Sequence, residues 1–325
     1  KMYDELILKL VTRKQVNDNK DFIKPLNMNE EDFYMKILEY KLTILDIIKN
    51  KYPGKHNFNH RNFKFSAFLF CFSYSKLVCE KVLKNSEIMD DYINKKFISK
   101  ADGEFCYKTY NENLSEFNIF YYILVSIFVR SDLYKNVERL EYESEAANNK
   151  RYEYSFILKN GKQINFEVKT ITCDPFMNLE LRKKLILLKD GDLLYKAYFP
   201  GTKIENYIDK NYINEGNIIY SDYRKTKKNI KKISEKFKSN SPNNINIGVL
   251  CINCGTSIEE FVSYIYNKEY GITKKGINFE NIDNLIIFSM SSAAKSLSLD
   301  ELYNWGHVLS ICNNDNNDEI FKQLR

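Results

Sequence analysis

The sequence predicts an α/β fold (α+β with a mixed sheet), in which the sheet is preceded by an all-helical N-terminal region. Two observations lead to this prediction. Apolar residues recur at helical spacing up to about residue 132, whereas short β-rich segments separated by turns begin at Val137. The later elements follow the order three strands, helix, strand, helix, strand. With 325 residues the chain is long enough for two domains, which we predict as 1–112 and 113–325.

The N-terminal helices are predicted from this periodicity and from the scarcity of helix breakers. Pro53 and Gly54 mark a loop between two long helical segments, "EEDFYMKILEYKLTILDIIKNK" and "FKFSAFLFCFSYSKLVCEKVLKN". A third helix is predicted from near Asn113 to near Leu133. It holds the longest apolar run, "IFYYILVSIFV", which is well short of the roughly 20 residues that span a bilayer. This run therefore predicts a buried helix and no membrane span.

The C-terminal strands are short and rich in β-branched and aromatic residues. Three of them come in succession, as "VERLEYES", "RYEYSFIL" and "QINFEVKTIT". After a mixed region (174–216) and a basic helix (222–238), two buried strands are predicted on either side of a helix. These three segments read "INIGVLCIN", "SIEEFVSYIYN" and "IDNLIIFSM".

The basic helix concentrates the positive charge of the chain. The formal net charge is +6, and segment 222–238 alone holds eight basic and two acidic residues. So lopsided a charge attracts a polyanion, and we predict that Lys225, Lys228 and Lys232 bind nucleic-acid phosphates. The simpler interpretation, a solvated charged face, stays open.

The strand "QINFEVKTIT" carries Glu167 and Lys169 on its polar face, and an acid, Glu153, lies on the preceding strand. A two-residue turn at Asn160-Gly161 would put Glu153 and Glu167 on opposite faces, whereas a three-residue loop closed by Gly161 would put them opposite each other. The apolar positions of the two strands share one side only with the three-residue loop. We therefore predict that loop.

Two adjacent carboxylates repel each other on a bare sheet, and a divalent cation relieves this repulsion. Mg²⁺ and Mn²⁺ prefer oxygen ligands, so Glu153 and Glu167 are candidate ligands and Lys169 is a candidate for stabilising charge on a phosphate. A ladder of ion pairs on a solvated sheet face is the simpler alternative. On either interpretation Glu167 and Lys169 lie outside the core, and their replacement is expected to leave folding intact.

The segment "YEYSFILKNGKQINFEVKT" resembles the core of the PD-(D/E)xK, restriction-endonuclease-like nucleases over roughly residues 113 to 290. The resemblance implies a restriction-endonuclease-like core and metal-dependent endonuclease activity. It implies that Glu153, Glu167 and Lys169 are catalytic and that the carbonyl of Val168 joins the two carboxylates as a metal ligand. It also makes Glu116, on the preceding helix, a further candidate ligand.

By this resemblance, the chain is expected to hydrolyse DNA in preference to RNA with Mg²⁺ or Mn²⁺, in restriction, phage defence or DNA processing. The alternative is a catalytically inactive module that binds nucleic acid or a protein, because Glu153 stands where the family usually has Asp. The helical region is the candidate surface for a homodimer or a protein partner.

Other motifs are interpreted structurally. Glu39-Tyr40-Lys41 repeats the Glu-x-Lys spacing on a helix, where a solvated face is expected. Cys251 and Cys254 form a single CxxC, too few ligands for a structural zinc site. Three histidines support neither a His-rich metal site nor a Ser-His-Asp hydrolase. Scattered cysteines without a secretory signal favour the cytoplasm.

Overall fold

The computed structural model describes residues 2–51, 63–96, 100–101, 104–105, 107–143, 151–172, 223–237, 244–253, 281–289 and 308–312. These ranges contain the helices α1 (Met2–Asp18), α2 (Glu30–Lys51), α3 (Phe63–Lys81), α4 (Glu87–Asp91), α5 (Tyr107–Phe128) and α6 (Tyr223–Phe237). Shorter helical turns cover Lys20–Leu26, Tyr92–Lys96 and Leu133–Asn136. The strands are β1 (Lys100–Ala101), β2 (Glu104–Phe105), β3 (Val137–Tyr142), β4 (Tyr154–Leu158), β5 (Gln163–Thr172), β6 (Ile245–Asn253), β7 (Asn284–Ser289) and β8 (Val308–Cys312).

Within the described residues the N-terminal region is helical, as predicted, apart from the short antiparallel pair β1-β2. The predicted loop at Pro53 and Gly54 lies outside these residues. The helices of this region pack through buried aromatic side chains. Phe22 meets Tyr74 and Phe70 edge to face, with ring centroids 4.5 and 5.9 Å apart. Such edge contacts add specific geometry to the apolar area that the rings bury.

The other Glu-x-Lys of the chain, Glu39-Tyr40-Lys41, does not lie on the solvated face that was predicted for it. Glu39 is exposed, but the side chain of Lys41 is completely buried. Its ammonium group donates hydrogen bonds to Thr12 Oγ1 at 3.1 Å and to Gln15 Oε1. Burial lowers the pKa of Lys41 to about 7. The prediction was wrong because α1 packs over α2 at this position and replaces solvent there.

Helix α5 connects the helical region with the sheet. Phe117 contacts Phe68 and Phe72 on α3, at centroid distances of 5.6 and 5.2 Å. One turn later, Phe120 packs on Tyr154 of β4 at 5.2 Å. Helices and sheet therefore share one continuous hydrophobic core.

The bounds of α5 differ from the predicted Asn113 to Leu133. The helix begins at Tyr107 and ends at Phe128. Beyond it, Ser131 Oγ donates to the carbonyl of Ile127 and accepts a hydrogen bond from the backbone of Leu133, which turns the chain into a 3₁₀ segment. The predicted domain boundary, between residues 112 and 113, falls inside α5, and the division into two domains stays a prediction.

The main sheet has six strands among the described residues, in the order β3-β4-β5-β6-β7-β8. Strands β3, β4 and β5 form an antiparallel meander. β6 lies parallel to β5, β7 lies parallel to β6, and β8 returns antiparallel to β7. The predicted α+β architecture with a mixed sheet is confirmed at this level.

The strand predictions agree with the structure over most of their length. β5 and β6 have the predicted bounds, and β7 lies within "IDNLIIFSM". β4 begins at Tyr154, three residues later than predicted, and β8 was not predicted. The predicted helix "SIEEFVSYIYN" and the mixed region 174–216 lie outside the described residues.

Helix α6 covers the face of the sheet opposite α5. Among its described side chains, Ile230, Ile233 and Phe237 are buried. The helix approaches closely at Gly248 of β6, where a Cβ atom would lie 2.9 Å from Ile233 Cγ2. Gly248 is the register partner of Glu167 on β5, so this contact seats α6 beside Glu167.

None of the helices in the described ranges combines the length and the apolar character needed to cross a bilayer. The apolar run in α5 is buried from Ile119 to Phe128, as predicted.

Candidate functional site

The hairpin β4-β5 has the predicted three-residue loop. The backbone N–H of Leu158 donates to the carbonyl of Lys162 at 2.9 Å, and that of Gly161 donates to Leu158 at 2.8 Å. Gly161 has a φ of 80°, the left-handed conformation that this loop requires. Tyr154 pairs with Phe166, so continuing the register would bring Glu153 opposite Glu167.

Glu153 lies just before the first residue of β4, where the regular ladder ends. Its backbone N–H donates to the carbonyl of Phe166 at 3.2 Å, and its carbonyl accepts from the N–H of Glu143 at the same distance. The backbone is thus bonded on both sides, while the side chain remains 22% exposed. Glu153 Oε1 lies 3.9 Å from Lys169 Nζ.

Glu167 is the most buried member of the cluster, with an exposed fraction of 0%. Its Oε1 contacts Lys169 Nζ, and its Oε2 accepts a hydrogen bond from Lys236 Nζ at 2.5 Å. The expectation that Glu167 lies outside the core was therefore wrong. The polar face of β5 is covered by α6, whose Phe237 packs against Tyr152 at a centroid distance of 5.4 Å.

Lys169 lies at the centre of the cluster, 27% exposed. Besides Glu153 and Glu167, its ammonium group contacts the carbonyl oxygen of Val168 at 3.2 Å. The structure thus brings four of the predicted site groups together: two carboxylates, one ammonium group and one carbonyl.

Glu116 reaches the same cluster from α5. Its Oε2 accepts a hydrogen bond from Lys96 Nζ at 2.9 Å, and its charge interacts with those of Glu153 and Lys169. Lys96 comes from the π-helical turn that follows α4, and its ammonium group lies 5.1 Å above the ring of Tyr92. Sequence reasoning proposed Glu116 but missed Lys96.

The pKa values of the cluster follow from burial and from these neighbours. Burial raises the pKa of Glu167, and Glu153 raises it further, against the opposing effects of Lys169 and Lys236. Burial likewise raises the pKa of Glu116, with Glu153 adding to the effect. Burial disfavours the charged form of Lys169, but Glu167 and the other two carboxylates outweigh it and raise its pKa. Lys169 is therefore an ammonium ion at neutral pH.

The cluster contains three carboxylates and three ammonium groups, so its formal charges cancel. The ammonium groups lie against the carboxylates. In the described ranges no group of three or more His, Cys, Asp or Glu side chains is arranged to hold a metal ion. The donor chemistry nevertheless fits a hard cation. In particular, Glu167 Oε1 is buried, touches Lys169 as an ion pair and has no hydrogen bond of good geometry.

The basic helix was predicted well in extent, since α6 spans Tyr223–Phe237. Lys228 and Lys232 are exposed, and the side chain of Lys225 lies outside the described part of the helix. Lys236 continues their stripe, because positions 225, 228, 232 and 236 fall within about 80° of one another at 100° per residue. Sequence reasoning missed its role at Glu167.

Cys251 is a buried residue of β6, which agrees with its interpretation as a packing residue. Cys254 and the three histidines lie outside the described residues.

Comparisons of the chain with protein-family models, with curated proteins and with solved structures gave no match. Function is therefore inferred from the chemistry of the cluster.

Proposed function

We propose that the chain is a metal-dependent nuclease that hydrolyses phosphodiester bonds, with DNA as its favoured substrate. The observation that carries this proposal is the convergence of Glu153 and Glu167 on the ammonium group of Lys169, beside the start of β4 and in the middle of β5, where α6 adds Lys236. Packing of the sheet and helices alone does not require a fully buried carboxylate between two lysines, and removing charged groups from water is costly. Perturbed ionisable groups of this kind concentrate at functional sites.

The order of elements around the cluster supports the same proposal. Among the described residues, a helix (α5), three antiparallel strands, a helix (α6) and a strand parallel to the third follow one another. This is the order that the resemblance to the PD-(D/E)xK nucleases implies, with the acid and the Glu-x-Lys pair in the corresponding places. A restriction-endonuclease-like core is accordingly part of the proposal.

Glu153, Glu167 and the carbonyl of Val168 would hold Mg²⁺ or Mn²⁺, with Glu116 as a further oxygen donor. The bound cation would polarise the scissile phosphate and lower the pKa of an attacking water. Lys169 would act as a fixed positive charge and hydrogen-bond donor toward the phosphate oxygens, because the surrounding carboxylates keep it protonated. A protonated lysine does not serve as a general base.

The burial of the cluster strengthens these interactions. A charge contact in a partly desolvated site is several times stronger than the same contact in water. Glu167 lies completely out of solvent beneath α6, so its orientation is fixed before the substrate arrives. Lys228 and Lys232, which are exposed on α6, would bind the phosphates flanking the scissile bond together with Lys225.

A second candidate function is a module that binds nucleic acid or protein without cleaving. The observation that favours it is the pairing of the carboxylates with lysines, which neutralises the site without a metal ion.

In either case the helical region would provide the surface for a second copy or a protein partner. Three large apolar side chains are exposed on its first two helices, at Leu6, Leu10 and Met35. We propose that the protein acts in the cytoplasm.

Incubation with plasmid, single-stranded DNA and RNA, each with Mg²⁺, Mn²⁺ or EDTA, tests the proposal. We expect the wild type to degrade DNA only with a cation and the Glu167→Gln variant to be inactive. The matched control is Glu39→Gln, which alters the exposed glutamate of the other Glu-x-Lys. Binding of DNA without cleavage under all these conditions would instead favour the non-catalytic module.

A further inference from the structure

Lys236 is the residue through which α6 contributes an ammonium group to the cluster. Its Nζ lies 2.5 Å from Glu167 Oε2, and the lysine side chain is 22% exposed, whereas Glu167 is fully buried. Ile233 and Phe237, on either side of Lys236 along the helix, are both buried. The position of Lys236 is therefore set by the packing of α6 on the sheet.

Lys236 and Lys169 together occupy both oxygens of the Glu167 carboxylate. Each carboxylate oxygen has a second lone pair, but a divalent cation bound there would lie next to two ammonium groups, so displacement of one of them favours its binding. Lys169 has alternative contacts, to Glu153 and to the carbonyl of Val168. Among the described residues Lys236 pairs with Glu167 alone, and its exposed fraction gives the ammonium group a route outward.

We propose that Lys236 is a positioning residue. In the free protein its ammonium group pairs with Glu167 at the position of the divalent metal ion, and when a metal ion binds, Lys236 turns to a substrate phosphate. This inference rests on the proposed function. It is supported by the stripe that Lys236 shares with Lys225, Lys228 and Lys232, which spans about 16 Å of helix at 1.5 Å per residue. A released Lys236 would add a fourth lysine to this stripe, at the end of the stripe nearest the carboxylates. The four lysines would bind a nucleic-acid strand that lies along α6 and enters the cluster at Lys236.

The first readout is the affinity for Mn²⁺ alone, measured from the electron paramagnetic resonance signal of the free ion. Removing a competing positive charge next to Glu167 should tighten Mn²⁺ binding by about tenfold in Lys236→Met. The matched control is Lys231→Met, which removes an exposed lysine that pairs with Glu235 on the same helix. The control should bind Mn²⁺ as the wild type does.

The second readout is the salt dependence of binding to a short DNA duplex, with and without Ca²⁺ as a hard cation. With Ca²⁺, Lys236→Met should lower the slope of log K against log salt by about 0.9, the value of one phosphate contact. Without the cation the slope should not change, because Lys236 is then held by Glu167. If Lys236 had only a structural role, its replacement would not tighten Mn²⁺ binding and would not lower the salt slope of DNA binding only in the presence of Ca²⁺.

Lys236→Gln keeps a hydrogen-bond donor toward Glu167 and serves if Lys236→Met does not fold. Equal Mn²⁺ affinity in the wild type and in a folded Lys236 variant would overturn this inference and leave the proposed function standing. An absence of Mn²⁺ binding in the wild type and both variants would overturn the two together. Binding by the variants alone would support the inference, since the lysine would then be the group that excludes the cation.

Discussion

The contact between Gly248 and α6 predicts a specific cost for adding a single methyl group. In Gly248→Ala, the new Cβ would lie 2.9 Å from Ile233 Cγ2 and 3.2 Å from Leu285 Cδ1. The first distance is ~0.5 Å shorter than the 3.4 Å at which ordinary contacts begin. Isoleucine is stiff at χ1 in a helix, so Ile233 cannot rotate its methyl group away and α6 must move instead.

Overpacking of this kind costs about 1–3 kcal/mol. The loss of a flexible glycine from the unfolded chain offsets about 0.4–1 kcal/mol of this cost. The middle values of the two ranges, about 2 and about 0.7 kcal/mol, leave an expected loss of about 1.3 kcal/mol in the free energy of unfolding of Gly248→Ala. Since α6 would shift beside Glu167, the pairing of Lys236 with that carboxylate should weaken as well.

Urea unfolding followed by circular dichroism measures this cost, and a double-mutant cycle identifies its origin. Ile233→Leu removes the branched methyl group, so Gly248→Ala should cost at least about 1 kcal/mol less in that background. Gly161→Ala is the matched control, because its cost comes from a φ of 80° with no atom within 4 Å, and Ile233→Leu should not relieve it. A Gly248→Ala protein as stable as the wild type, or equal costs in both backgrounds, would refute this account of how α6 is seated.

Three further predictions follow from the buried charges and from the basic helix. Glu167→Gln should lower the free energy of unfolding by about 1–3 kcal/mol, because two partly buried lysines lose their anion; an unchanged urea midpoint would contradict this. Lys41 has a folded pKa of about 7, below the roughly 10.4 of an unfolded lysine, so between these values the unfolded chain binds more protons and stability rises with pH. Urea unfolding at pH 6, 8 and 9 should show that the free energy of unfolding rises by up to about 1.4 kcal/mol per pH unit above pH 7, and Lys41→Met should abolish this rise. An equal pH dependence of stability in the wild type and in Lys41→Met would contradict the prediction. Replacing Lys225, Lys228 and Lys232 by Ala should reduce the salt slope of DNA binding by about 2.7, whereas a solvated face predicts no change.

The sequence predicted the hairpin register through the alternation of apolar residues. The turn residues Asn160 and Gly161 are compatible with either loop, and only the apolar alternation requires Leu158 opposite Lys162. Most of the fold was predictable for the same reason, since long periodic segments leave little choice. β8 was not predicted because a five-residue apolar segment has no periodicity that separates strand from helix.

The burial of Glu167 and the part played by Lys236 could not be predicted in this way. Strand periodicity assigns polar residues to the solvent side and contains no information on a second covering layer. Which lysine of a basic helix turns inward depends on how the helix is seated, and that is decided by Gly248 on a distant strand. Lys96 was missed for a similar reason, because its partner Glu116 lies on another helix, 20 residues along the chain.

The same limit explains the error at Lys41. Spacing on one helix identifies the positions that face each other, but not the neighbour that covers them. The packing of α1 over α2 converts an ordinary surface lysine into a fully buried one.

The most direct test of the nuclease assignment is the single-turnover rate of DNA cleavage with Mn²⁺ in Lys169→Ala. Lys159→Ala is the control, because Lys159 is exposed in the loop of the same hairpin. If Lys169 stabilises charge on the scissile phosphate, its removal should slow cleavage by about 10²–10³-fold while the control cleaves as the wild type does. Cleavage by Lys169→Ala within a few-fold of the wild-type rate would contradict the assignment of this cluster as the active site.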